Sequence, residues 1–104
     1  MIPLSVPSLK GKELIYLKEC IKTEYVSSVG KFVSLFEKKI CKFTRSKYAV
    51  ACSSGTVALQ LALRVVGVKE SDEVIIPTMT FIATANAVRY LKAKPVFMDC
   101  DDYY

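Results

Sequence analysis

The chain has 104 residues, 52% of them hydrophobic, with 15 Lys and Arg against 10 Asp and Glu and a formal net charge of +5. Its mean hydropathy of +0.30 is high for so short a chain, because small domains bury a smaller share of their surface than large ones; this predicts either a large partner surface or a piece of a bigger domain. No apolar run reaches the ~20 residues of a membrane span, there is no histidine and no C-x-x-C pair among Cys20, Cys41, Cys52 and Cys100 to hold a metal, and the lysines lie interleaved on helix faces without the basic stripe and reading element that nucleic acid demands.

The opening Met-Ile-Pro-Leu-Ser-Val-Pro lacks the charged-then-apolar layout of a signal peptide, so a cytoplasmic protein is expected. Its thiols are expected reduced and mostly buried. Pro3 and Pro7 make this segment extended. A first helix is predicted from about Ser8, with Ser8 as cap and Leu9, Leu14, Leu17 and Ile21 as apolar positions. A turn-like stretch from Tyr25 follows, in which Gly30 permits a positive φ or a close backbone approach. The second helix, from about Lys31 to Phe43, carries Phe32, Phe36, Ile40 and Phe43 along one side and reads as a one-sided core helix.

From Tyr48 to Cys52 a short apolar run reads as a strand. Ser53, Ser54, Gly55 and Thr56 then lead into a long helical run, Val57 to Val68. A strand feeding a helix through small residues is a common phosphate site, because the helix N-terminus offers unpaired N–H groups and partial positive charge. The same Ser and Thr also read simply as helix caps. Residues 57–66 are apolar nearly all round, which predicts a helix enclosed on most sides. Gly67 and the polar patch Lys69 to Asp72 end it. Glu73 to Ile76 and Pro95 to Met98 read as buried strands with a helix, Phe81 to Leu91, between them. The order strand, helix, strand, helix, strand implies an α/β layered domain, with strand order and direction left open. A sheet of about three strands with one covering layer leaves apolar surface bare, so the chain is expected to be cut after Tyr104.

Five blocks in order, IPLS, SSVGKFVSLFEKKI, KYAVACSSGTVALQLAL, SDEVIIPTMTFIATANAV and KPVFMDCDD, resemble the N-terminal part of the DegT/DnrJ/EryC1/StrS sugar aminotransferases. The resemblance implies an α/β fold: the N-terminal part of the large α/β/α domain of a fold type I pyridoxal-phosphate (PLP) transferase, preceded by two helices, with residues 1–104 as a partial domain. It implies PLP as cofactor, a nucleotide-linked keto sugar and an amino donor, glutamate, as reactants, and a homodimer with active sites at the subunit interface. The YVSSVGKFV wording is most similar to the subgroup acting on UDP-linked 4-keto-6-deoxy-HexNAc sugars.

By the same resemblance Gly55 and Thr56 match positions that contact the PLP phosphate, with Ser54 beside them. Phe81 matches the aromatic that stacks on the pyridine ring; its alternative is an ordinary core Phe. Ser28 and Gly30 lie in a loop similar to the one lining the sugar-nucleotide entrance, or in a plain connector. Asn86 reads as packing. Asp99 tempts as the carboxylate facing the ring nitrogen, but the family residue lies beyond position 104, as does the lysine that forms the Schiff base and shuttles a proton. No catalytic residue is therefore assigned, and the chain alone is expected to be an inactive fragment. Alternatives are a fragment of a pyridoxamine-phosphate-dependent sugar dehydrase, or a non-catalytic module binding a phosphorylated ligand or a homologue. A nicotinamide-binding unit is excluded, since Gly55 stands alone where G-x-G-x-x-G is required.

Overall fold

A computed structural model of the chain describes residues 2–3 and 5–101. It divides into two units, Met1–Ala51 and Cys52–Tyr104. The first holds α1 (Glu13–Lys22) and α2 (Lys31–Thr44); the second holds α3 (Gly55–Val65), β1 (Glu73–Pro77), α4 (Ile82–Tyr90) and β2 (Lys94–Met98).

In the first unit, α1 starts five residues later than the sequence suggests. The Glu13 carboxylate accepts from the Gly11 N–H at 2.9 Å, and an acidic group in the first turn suits the positive end of the helix. Ser8 caps nothing, and Leu9 lies outside the helix. Leu14, Leu17 and Ile21 are exposed. The turn after α1 is built by Thr23, whose hydroxyl donates to the Glu19 carbonyl at 2.8 Å.

Gly30 precedes α2 with φ 158° and ψ 167°, a corner of backbone space that is essentially glycine's. A Cβ there would also stand 3.2 Å from Tyr25 Cβ, so both sequence arguments for this glycine hold together. The two helices meet through side chains. Tyr16 and Phe32 have ring centroids 5.0 Å apart, and Lys31 Nζ reaches Glu19 Oε1 at 2.8 Å. α2 forms as expected, yet its apolar side is only partly covered, with Phe43 88% exposed.

Residues 48–52 join no sheet, against expectation. The sheet among the described residues has two strands, β1 and β2, and an apolar run becomes a strand only where a neighbour offers a ladder edge. One end is held instead by a side chain, as the Ala51 N–H donates to Glu37 Oε1 at 2.9 Å.

The second unit is a β1–α4–β2 crossover with α3 packed on α4. β1 and β2 pair in parallel, from Glu73 opposite Lys94 to Pro77 opposite Met98. Ala85 and Val88 of α4 bury against Ile76 and Ala93, with Leu63, Val68 and Val74 packed around them; alanines at the contact let helix and sheet approach closely. α3 ends in a Schellman turn: Val68 N–H donates to the Leu63 carbonyl and Gly67 N–H to Arg64, with Gly67 at φ 90°. No residue of α3 is buried, and Val65 is 77% exposed, so the enclosure its composition predicts is absent among the described residues. The thiols differ likewise: Cys20, Cys41 and Cys52 are half-buried and Cys100 exposed, and none of the four is in a disulfide. Among the described residues no helix is long and apolar enough to cross a membrane.

Candidate functional site

The start of α3 combines a cap with free donors. Ser54 is extended (φ −158°, ψ 162°) and its side-chain oxygen accepts from the Val57 N–H at 3.4 Å, while its carbonyl accepts from the Ala58 N–H at 3.0 Å. The N–H groups of Gly55 and Thr56 precede any intrahelical acceptor, and no hydrogen bond among the described residues uses them. A Cβ on Gly55 would meet nothing within 4 Å. Ser53, Ser54 and Gly55 are exposed and Thr56 is half-buried. The cap is therefore formed on the Val57 amide, and the neighbouring Gly55 and Thr56 amides are left undonated. The Ser54 hydroxyl accepts one bond and keeps its own proton to donate, so an incoming phosphate would meet two N–H groups, hydroxyls and the helix dipole in uncrowded space.

Phe81 is the residue before α4, with φ −63° and ψ 144°, and it is 87% exposed; it is not an ordinary core phenylalanine within this chain. Its backbone is held although its ring is free of aromatic partners among the described residues. The Phe81 carbonyl accepts from the Thr84 N–H at 3.0 Å, and the hydroxyls of Thr80 and Thr84 are 2.9 Å apart.

Connectivity brings these two features to one end of the second unit. The connector leaving α3 and the one leaving α4 bond to each other, Ser71 N–H to the Lys92 carbonyl at 3.2 Å and Lys94 N–H to the Asp72 carbonyl at 2.7 Å. Both helices therefore finish where the strands start. Since α3 and α4 pack along one another, their N-termini, with Gly55, Thr56 and Phe81, lie toward the end where the strands finish, the usual ligand edge of a parallel sheet. Residues 52–104 contain three lysines, Lys69, Lys92 and Lys94, all at the opposite end. β2 alone separates Lys94 from Met98 by about 13 Å at ~3.3 Å per residue.

In the first unit Gly30 lines a groove of about 450 Å³ between α1 and α2, with Leu17, Ile21, Val26 and Phe32 among its walls; Ser28 does not line it. Asp99 is engaged as a structural acceptor, taking the Thr78 hydroxyl at 3.2 Å and the Cys100 N–H at 3.0 Å. Asn86 is half-buried in the middle of α4. Sequence reasoning missed Thr78, Thr80 and Thr84, whose hydroxyls tie down the approach to Phe81. Their only signal was a threonine at the end of a strand and two more spaced by one helical turn. Among the described residues no group of three His, Cys, Asp or Glu is placed to hold a metal.

Comparison with known proteins shows the family and the fold. A sequence model of the DegT/DnrJ/EryC1/StrS aminotransferase family matches residues 7–104. GDP-perosamine synthase of Escherichia coli O157:H7 is 46% identical over 101 residues, covering 97% of this chain and 28% of the relative. EpsN of Bacillus subtilis, which carries the name of a pyridoxal phosphate-dependent aminotransferase, is 41% identical over 96% of this chain and 26% of its own length. Among solved structures, an aminotransferase from Psychrobacter cryohalolentis superposes with a TM-score of 0.84 at 35% identity, over 95% of this chain and 26% of that one. The chain thus spans little more than a quarter of the length of these relatives.

Proposed function

Because the chain belongs to the DegT/DnrJ/EryC1/StrS aminotransferase family, we propose that its second unit forms the phosphate corner and one ring-covering side of a pyridoxal 5′-phosphate site, in an enzyme that aminates a nucleotide-linked keto sugar. The observation that carries this reading is the pair of undonated amides, Gly55 and Thr56, beside open space at the N-terminus of α3.

In this reading the Gly55 and Thr56 N–H groups and the Thr56 and Ser54 hydroxyls hold the phosphate, and Phe81 covers one face of the ring and fixes its plane. The cofactor, when bound, supplies an electron sink for charge at the amine-bearing carbon. Residues 1–104 act as the N-terminal part of the large domain; the resemblance places the covalent lysine beyond position 104, and within the second unit Lys69, Lys92 and Lys94 offer no substitute, since they lie at the end where the strands start. Glutamate as donor and a homodimeric assembly complete the proposal. For the nucleotide, the E. coli relative bears a GDP-sugar name, and its 46% identity along nearly the whole chain outweighs the single loop that favours UDP. GDP-linked sugars are thus the first substrates to try, with Gly30 and its loop at the entrance and Ser28 outside the groove wall.

Titrating the 104-residue chain with pyridoxal phosphate, followed by borohydride, tests the reading. Reversible binding without a stoichiometric lysine adduct is expected, and Gly55→Glu, which sets a carboxylate among the donors, weakens binding at least tenfold. Equal affinity in both proteins would remove the corner from the site, and one uniquely trapped lysine would show that the chain holds its own covalent partner.

A further inference from the structure

The parallel ladder ends at Pro77 opposite Met98, yet the two strands stay joined for one more step. Thr78 N–H donates to the Met98 carbonyl at 3.0 Å, the Thr78 hydroxyl donates to Asp99 Oδ1 at 3.2 Å, and the Cys100 N–H donates to the same oxygen at 3.0 Å. Asp99 and Thr78 thus make a side-chain rung just past the last backbone one. Three residues on, the chain reaches Phe81, and there it is fastened again by Thr84, through the Phe81 carbonyl and the Thr80 hydroxyl. The ring itself is 87% exposed, so nothing packed against it sets its position; the backbone between these two fastenings does.

We propose that Asp99 is a positioning residue for Phe81: by clamping Thr78 and Cys100 on one carboxylate oxygen, it fixes the segment 78–81 that presents the aromatic ring to the cofactor. The inference rests on the cofactor reading above. Asp99 needs no charge for this role, only an acceptor oxygen at the same place, and that distinguishes it from a carboxylate facing the ring nitrogen.

The test compares Asp99→Ala, Asp99→Asn and Thr78→Val in the 104-residue chain. Readouts are pyridoxal phosphate affinity, the induced circular dichroism of the bound cofactor, and amide exchange at residues 79–81. Losing the hydrogen bond in Asp99→Ala or Thr78→Val weakens binding about five- to tenfold, shrinks the dichroic band and speeds exchange at Met79 to Phe81. Asp99→Asn, which keeps an acceptor oxygen, restores all three to within twofold of the parent. Wild-type affinity in Asp99→Ala would overturn the proposal, and so would an Asp99→Asn protein as impaired as Asp99→Ala, which would mean that charge is what matters. If the parent chain binds no cofactor at all, the function reading fails separately. The exchange data still decide this inference: faster exchange in Asp99→Ala rescued by Asp99→Asn supports it, and unchanged exchange sinks it.

Discussion

Ser54 and Gly55 stand side by side at the start of α3 and respond in opposite ways to alanine. Ser54→Ala removes the oxygen that accepts from Val57 and costs about 1 kcal/mol of helix stability. Gly55→Ala meets no atom within 4 Å in helical backbone, so it stabilises by about 0.4–1 kcal/mol, while the added methyl enters the space a phosphate needs and weakens binding several-fold. Thermal melts paired with a phosphate or pyridoxal phosphate titration read both signs, and a Gly55→Ala protein that gains stability without losing affinity would separate the glycine from ligand binding. The small residues of this corner were legible from the sequence, because Ser, Gly and Thr at a helix start offer amides and hydroxyls that a cap or an anion can take. Which amides the cap consumes was not legible, since that depends on Ser54 adopting one extended conformation.

At the scale of elements, α3 and α4 end the same way with different residues. Each closes with a residue in the left-handed region, Gly67 at φ 90° and Lys92 at φ 58°, and after α4 the Lys92 and Ala93 N–H groups return to the Arg89 and Val88 carbonyls. A side chain in this region costs about 1 kcal/mol relative to glycine. Gly67→Ala is therefore expected to lower stability by about that amount and Lys92→Gly to raise it, as read by denaturant melts; the exposed Lys92–Glu70 contact at 3.7 Å is too weak to reverse the second sign. α1 and α2 offer a pH test. Lys31 is raised above its ordinary 10.5 by its hydrogen bond to, and the charge of, Glu19. A raised folded-state value means that the contribution is fully present below 10.5 and is lost as pH rises through the raised value. Melting temperature is expected to fall more steeply above pH 10.5 in the parent than in Lys31→Met, and parallel profiles would show that the pair does not hold the two helices. Periodicity located α2 almost to the residue because four apolar side chains mark its face. The start of α1 was not legible from Ser8, because the helix follows Lys12 with no side-chain cap and Glu13 bonds back to the Gly11 N–H.

Each unit leaves large apolar side chains in solvent, Phe43 in the first and Val65 and Phe81 in the second among them. A two-stranded sheet with one covering helix is marginal by itself, and its buried core is small, with Val88 the largest side chain fully enclosed. Strong binding of a hydrophobic dye by the native chain and a shallow melt are expected. Val88→Ala, at about 1–3 kcal/mol, is enough to remove the second unit's cooperative transition. A sharp melt with no dye binding would contradict this picture.

Order and type of most elements, the glycine demands at positions 30 and 67, and the donor-rich corner at 53–56 follow from the sequence alone, because each depends on a few neighbouring residues whose local chemistry has one outcome. Only the tertiary structure decided that residues 48–52 join no ladder, that the apolar α3 is uncovered, that β1 and β2 run parallel, and that Asp99 serves Thr78 from 21 residues away. Those outcomes depend on which surface meets which, and a chain cannot specify locally a partner that lies far along it.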